Sequence, residues 1–278
     1  MMTKTISEQQ VEQAALGWFE ALGFETARGV DISPGADSPL RDSHEQVVLE
    51  PRLRSALRTI NRQLPDEAIE QAVRAVMRPP EPTLEQNNRW FHHLLTDGVD
   101  VEYRTPEGET RGDKAWLVNF TRPANDRLVV QQLTVRCGNA TRRPDLVVFL
   151  NGLPLVVVEL KDPANEQADL WMAYRQLQDY KATIPPLFTY SALLAISDGD
   201  RTRVGSLTAA SDRFAPWRAL DDARAPGEPT LEALIHGLFQ PGRWEDYLRH
   251  CITFEEDERS GMIIKKVAAY HQFRAMLR

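Results

Sequence analysis

The segment from Arg142 to Lys161 constrains this chain more than any other. It reads RRPD, LVVFL, NGLP, LVVV and ELK in succession. Two short apolar runs separated by Asn151-Gly152 carry a strong hairpin signal. Runs without polar alternation belong to strands covered on both faces, so the hairpin must be buried. Register decides what its open end carries. With a loop of Asn151 to Leu153, Leu150 faces Pro154 and Asp145 faces Glu159. Glu159 and Lys161 then share a face by the two-residue period, and Asp145 joins them. A two-residue loop shifts the pairing by one and puts the carboxylates on opposite faces.

Glu159 directly follows three valines, where a carboxylate is costly without a partner. Two adjacent carboxylates repel, and one holds a proton unless a cation intervenes. Hard oxygen ligands in this arrangement suit magnesium, which keeps several waters and also binds a phosphate oxygen. Such an ion polarises phosphorus and lowers the pKa of a bound water. Lys161 would position or deprotonate that water and offset charge developing on the phosphate. This is the chemistry of phosphodiester hydrolysis. The alternative is a set of strand-end charges that keep the hairpin soluble. The short interval and the strength of the apolar runs favour the site.

The rest of the chain supplies layers around the hairpin. Ser7 to Leu22 is amphipathic at helical spacing, with Ser7 as N-cap and Gly23 as its end. Residues 24 to 44 read as a long irregular loop. Helices are expected over 45–62, 65–78 and from Thr83 to Asp97. The period then changes to that of strands, at Val99 to Tyr103, Ala115 to Phe120, Leu128 to Val135, Asp145 to Leu150 and Leu155 to Lys161. A helix is expected from about Glu166 to Ala182, stopped by Pro185-Pro186, and it puts Gln176 and Tyr180 on one face. That pair could contact a DNA backbone or brace the site; a half-buried Tyr beside Leu177 is the plainer reading. Strands follow at Ser191 to Ser197 and Thr202 to Leu207, then helices near 229–239, 243–250 and 262–278. The order predicts a mixed α/β or α+β core with helical flanks. The last pattern runs to Arg278 without a capping signal, as in a fragment of a longer polypeptide.

Composition limits the partners. The chain has 278 residues, 33 Lys plus Arg and 40 Asp plus Glu, a net charge of −7. Bulk charge therefore excludes a polybasic nucleic-acid binder. Contact with DNA would have to come from local patches, metal ions or partner subunits. Arg136, Arg142 and Arg143 form one such patch, with no acid between 136 and 143, and could meet phosphates or form a solvated strand end. His92-His93 reads as one packed and one solvated residue, and Glu255 to Glu258 as a solvated linker. No segment approaches the roughly 20 apolar residues of a membrane span, and the polar N-terminus has no signal-peptide core. Two distant cysteines, Cys137 and Cys251, suit free thiols in a cytoplasmic protein. Walker A, Gly-x-Gly-x-x-Gly, His-Glu-x-x-His and Gly-x-Ser-x-Gly patterns are absent.

With these residues in view, the chain resembles the N-terminal nuclease domain of the R (HsdR) subunit of type I restriction-modification enzymes, in the PD-(D/E)xK superfamily. The resemblance runs over nearly the whole sequence. It takes in ALGWFEALGFE, VVLEPRLRSAL, RRPDLVVFLNGLPLVVVELK, Gln176-x-x-x-Tyr180, and ISDG followed by Arg203-Val204-Gly205-Ser206. GMIIKKVAAYHQFRA resembles the segment that leads into the helicase-like ATPase motor of that subunit. The resemblance implies a restriction-endonuclease-like core, a central mixed sheet flanked by helices. It implies an endonuclease domain over 1–220, with a catalytic core about 99–210 and the helices of 7–97 packed on it, and a helical linker over 221–278. It further implies Asp145 and Glu159 as metal ligands, the Leu160 carbonyl as a third and Lys161 as the catalytic lysine. Gln176 and Tyr180 would support cleavage through DNA contact. One more acid is expected from the first helix, Glu12 or in reserve Glu8. The implied activity is magnesium-dependent cleavage of double-stranded DNA without sequence reading. Modification and specificity subunits would be partners, and ATP would be used only by the absent motor. The isolated segment would cleave weakly or not at all. Rival readings are a repair or recombination nuclease of the same superfamily and a docking module that has lost its chemistry.

Overall fold

The computed structural model describes residues 7–121, 124–161, 170–218, 229–258 and 260–277. Helix α1 (Glu8–Ala21) starts at a reciprocal cap in which Gln10 N donates to Ser7 Oγ and Ser7 N donates to Gln10 Oε1. It buries Val11, Ala15, Leu16 and Phe19, and with them Glu12. A strand follows where a loop is expected, β1 (Glu25–Arg28), parallel to a later strand. Four residues at a sheet edge are too few to show a period. Helices α2 (Glu50–Ile60), α3 (Asp66–Val76) and α4 (Leu84–Asp97) come next. The first begins five residues later than periodicity indicates, because Pro51 sits at its first turn.

Strands β2 (Val99–Arg104) and β3 (Thr110–Ala115) make a hairpin of their own. The second ends where the sequence pattern has it begin. Beyond Ala115 the backbone of Trp116 bonds the Asn61 side chain instead of a strand, at 2.8 and 3.0 Å. Then come β4 (Arg127–Gln131), β5 (Val135–Cys137), β6 (Ala140–Arg142), β7 (Leu146–Leu150) and β8 (Leu153–Leu160). Helix α5 (Leu170–Thr183) is described from Leu170, so its expected start at Glu166 lies outside the described residues. Pro185 and Pro186 do not only stop it. They open a further short helix, α6 (Pro185–Thr189), whose first turn tolerates proline. The sheet is completed by β9 (Leu193–Ser197), β10 (Thr202–Gly205) and β11 (Ala215–Pro216).

These strands form one mixed sheet of seven in the order β1-β4-β7-β8-β9-β10-β11. The pairs β1–β4 and β8–β9 are parallel and the others antiparallel. Every residue of β7, β8 and β9 is buried, which explains their unbroken apolar sequences. After residue 228 the chain adds α7 (Leu231–Leu238), α8 (Arg243–His250), β12 (Ile252–Glu256), β13 (Ile263–Val267) and α9 (Tyr270–Met276). The expected helix over 262–278 is therefore in part a hairpin. Lys265 hides the strand period, because it occupies a buried position, its Nζ donating to Asn88 Oδ1 and Ser191 O. The acidic run also belongs to this hairpin, with Glu255 paired to Lys266 and Glu256 to Arg89. Arg278 and the expected boundary at 220–221 lie outside the described residues.

The central hairpin turns on two residues, not three. Asn151 and Gly152 both hold positive φ, +54° and +77°, and Leu150 pairs with Leu153. A bulge then absorbs Leu155, so that Val148 pairs with Val156 and Leu146 with Val158. The shift introduced by the shorter turn is cancelled before the strands reach their open end. The turn is locked from outside. Asn151 is fully buried and donates to Leu117 O at 2.8 Å, and Leu49 N donates to Gly152 O at 2.9 Å. A Cβ on Gly152 would lie 2.5 Å from Leu49 O and 2.7 Å from Leu53 N. Gly152→Ala is thus expected to cost about 3 kcal/mol, from left-handed strain and overpacking together. Urea unfolding measures it, and an unchanged midpoint would contradict the packing described.

Candidate active site

Extending the ladder one step past Leu146–Val158 puts Asp145 beside Glu159, at the end of the sheet where β4 and β8 also finish. Asp145 Oδ2 accepts the Leu160 backbone N–H at 2.7 Å. Lys161 Nζ donates to Glu159 Oε1 at 3.0 Å and to the Leu160 carbonyl at 2.7 Å. Helix α1 crosses this end of the sheet and brings Glu12 and Glu8 to it. Carboxylate oxygens of Glu8, Glu12 and Asp145 lie within 4.8 Å of one another. The two glutamates come one helical turn apart, as their spacing requires.

Burial dominates the electrostatics. Glu159 is fully buried, and loss of solvent pushes its carboxyl up to about 9, with the neighbouring Asp145 charge adding to the shift and Lys161 opposing it. Asp145 is pushed up to about 6, again first by burial. The Leu160 N–H opposes the rise, and the charges of Glu8 and Glu12 add to it. Without a cation the group therefore retains a proton at neutral pH. Glu159 Oε2 is buried and has no hydrogen-bond partner. In the ionised form that oxygen would be an unsatisfied buried acceptor, which is costly, and a hard divalent ion would satisfy it in place of the proton. Asp145, Glu159 and the Leu160 carbonyl offer three oxygens of the type that magnesium or manganese prefers, and Glu12 and Glu8 bring two more carboxylates within 4.8 Å of Asp145.

Helix α5 lies against β8 and β9 and presents Tyr180 to the same end. Gln176 Nε2 donates to Tyr180 Oη at 2.5 Å. Burial raises the phenol pKa further from the physiological range, and the Glu159 charge adds to it, so Tyr180 stays protonated beside the carboxylates. Arg142 lies close enough to Tyr180 for its charge to oppose that rise, but its guanidinium is already engaged. Arg142 Nε bonds Asp179 at 2.7 Å, Arg136 approaches Glu45 at 3.5 Å, and Arg143 is exposed. The positive patch expected from the sequence is thus partly offset by acids distant in sequence. His92 is buried and His93 lies near Asp97 at 3.6 Å, away from these groups.

Two residues that the sequence does not single out complete the group. Gln131 Nε2 donates to Glu12 Oε2. Gln132 Nε2 donates to Glu12 Oε1 at 2.7 Å and to Asp145 Oδ1 at 3.1 Å. The available signal was a pair of amides directly after the apolar LVV of β4, but consecutive strand residues normally face opposite ways.

Residues 5–213 match the sequence model of the family described as type I restriction enzyme R protein N terminus. The chain is 40% identical over 274 residues to the type I restriction enzyme HindI endonuclease subunit of Haemophilus influenzae, a match covering 96% of this chain and 26% of that protein. It is 30% identical over 288 residues to a Methanocaldococcus jannaschii protein provisionally named as the type I restriction enzyme MjaIXP endonuclease subunit, covering 95% of this chain and 26% of that one. The chain thus spans about a quarter of the length of these relatives.

Proposed function

This chain belongs to the family of type I restriction enzyme R protein N termini, and from that premise we propose that it is the DNA-cleaving domain of such a subunit. The reaction is hydrolysis of phosphodiester bonds in double-stranded DNA, dependent on magnesium and independent of sequence at the cut. Asp145, Glu159 and the Leu160 carbonyl hold the ion, with Glu12 as a further ligand. A bound ion supplies polarisation of the phosphate and acidification of a water. Lys161 uses two of its three N–H groups on Glu159 and Leu160, which leaves one for a phosphate oxygen or the attacking water. Tyr180, buried and held by Gln176, braces the carboxylates, while Arg142 and Arg143 at the rim contact the DNA backbone.

In this reading residues 1–220 are the endonuclease domain and 221–278 lead toward an ATP-driven motor. Modification and specificity subunits supply target recognition, and the enzyme works in the cytoplasm. Among the described residues no helix is long and apolar enough to cross a membrane. Cleavage by the isolated segment is weak or nil, because DNA is delivered by the other parts. The observation that carries the proposal is the fully buried Glu159 carboxyl beside Asp145 and Lys161, which keeps a proton where no cation is bound and whose Oε2 makes no hydrogen bond within ordinary distance. Asp145→Ala in the assembled enzyme tests it. DNA-stimulated ATP hydrolysis is expected to persist while cleavage falls by roughly 10^3-fold or more. Cleavage at the unaltered rate would overturn the assignment.

A further inference from the structure

Gln132 holds φ at +55°, a left-handed backbone conformation rare for a residue with a side chain. Such conformations persist only where the surroundings over-determine them, and they gather at functional sites. Here the surroundings are explicit. Gln132 N donates to Asp145 O at 2.8 Å, and Gly29 N donates to Gln131 O at 2.7 Å. A Cβ on Gly29 would lie 2.2 Å from Gln132 O, so a loop passing without a side chain clamps the turn. The consequence is geometric. A strand would send Gln131 and Gln132 to opposite faces. The left-handed turn instead brings both amides to one carboxylate, Gln131 to Glu12 Oε2 and Gln132 to Glu12 Oε1, with Gln132 also reaching Asp145 Oδ1.

We propose that Gln132 is a positioning residue for the divalent ion: its amide holds Glu12 against Asp145 so that both carboxylates reach one ion. This rests on the metal-site reading above. A neutral amide suits the task. Its two N–H groups offset the repulsion between carboxylates, yet no charged group has to leave when the ion arrives. Each carboxylate oxygen has two lone pairs, one for the amide and one for the ion. Gln131 acts on Glu12 alone and contributes less.

The test is calorimetric titration of manganese into the full 278-residue chain, alongside thermal unfolding without metal. Gln132→Gly removes the amide while relaxing the left-handed backbone, so the variant is expected to melt no lower than the parent. Its manganese Kd is expected to rise roughly 10- to 100-fold, the usual consequence of losing a hydrogen bond that orients a ligand. Gln132→Met keeps the side-chain volume without the donors, and the same rise is expected of it whether or not the glycine variant folds. A Kd unchanged in whichever variants fold overturns the proposal, and a lowered melting temperature with an unchanged Kd marks a merely structural residue. If the parent itself binds no manganese, the reading of the site as a metal centre fails. If the parent binds and the variants match it, only the role of Gln132 fails.

Discussion

Lys161→Ala is expected to lower DNA cleavage by the assembled enzyme by roughly a thousandfold, the scale of losing one charged group aimed at a developing charge. The same change is expected to leave manganese affinity equal to or tighter than the parent's. The two readouts part because Lys161 is a cation beside the carboxylates, with Nζ 3.0 Å from Glu159 Oε1 and a side chain only 12% exposed. Removing it takes away the donor that meets phosphate or water, and also a positive charge that competes with the ion for Glu159. Lys161→Arg is expected to restore little. Its guanidinium is broader and stays protonated, so it neither fits the gap between Glu159 and Leu160 O nor exchanges a proton. Cleavage at the parental rate in Lys161→Ala would remove the lysine from the reaction. Loss of metal binding would make it a structural support of the ligands.

Glu159→Gln is expected to stabilise the metal-free chain near pH 8 by several kcal/mol, at most about 5. Unfolded, the Glu159 carboxyl ionises near 4.5; folded, it holds its proton to about 9. Between those values the folded state binds more protons than the unfolded state. Raising pH therefore drives unfolding, and the stability present below 4.5 is lost progressively up to about 9. Glutamine has no proton to lose, so the advantage of the variant is near zero in acid and grows as pH rises. The amide also gives the unpartnered Oε2 position a donor that can face Asp145. Chemical denaturation at a series of pH values measures the slope. A variant less stable than the parent at alkaline pH would mean that Glu159 is ionised and well paired in the folded protein. The same substitution removes a proposed ligand, so a gain in stability with a loss of metal affinity is the expected pairing.

The hairpin end was legible in the sequence for a reason that was only half right. The three-residue loop does not exist. A two-residue turn at Asn151-Gly152 and a bulge at Leu155 together give the same alignment of Asp145 with Glu159. A bulge leaves no mark in an all-apolar run, since LPLVVV offers no alternation to break. The Glu on the first helix was legible as a choice between two, and the helix brings both Glu8 and Glu12 to Asp145. Elements whose pattern depends on the tertiary environment were not legible. Strand β1 is short and lies on the edge, and β13 buries Lys265 against Asn88 and the Ser191 carbonyl, where a sequence reading expects a solvated side chain. Gln132 escaped notice because its orientation follows from a φ angle set by Gly29, about a hundred residues earlier. The net charge of −7 is consistent with the same picture. The carboxylates gathered at the hairpin end add to the acidity, and Arg142 and Arg136 are engaged by Asp179 and Glu45.

The most direct measurement is an anomalous difference map from a crystal of this chain soaked in manganese. A peak within ligand distance, about 2.2 Å, of Asp145 and Glu159 carboxylate oxygens and the Leu160 carbonyl is the expected result. Full manganese occupancy elsewhere, with Glu159 Oε2 still without a partner, would contradict the assignment of these residues as the metal centre.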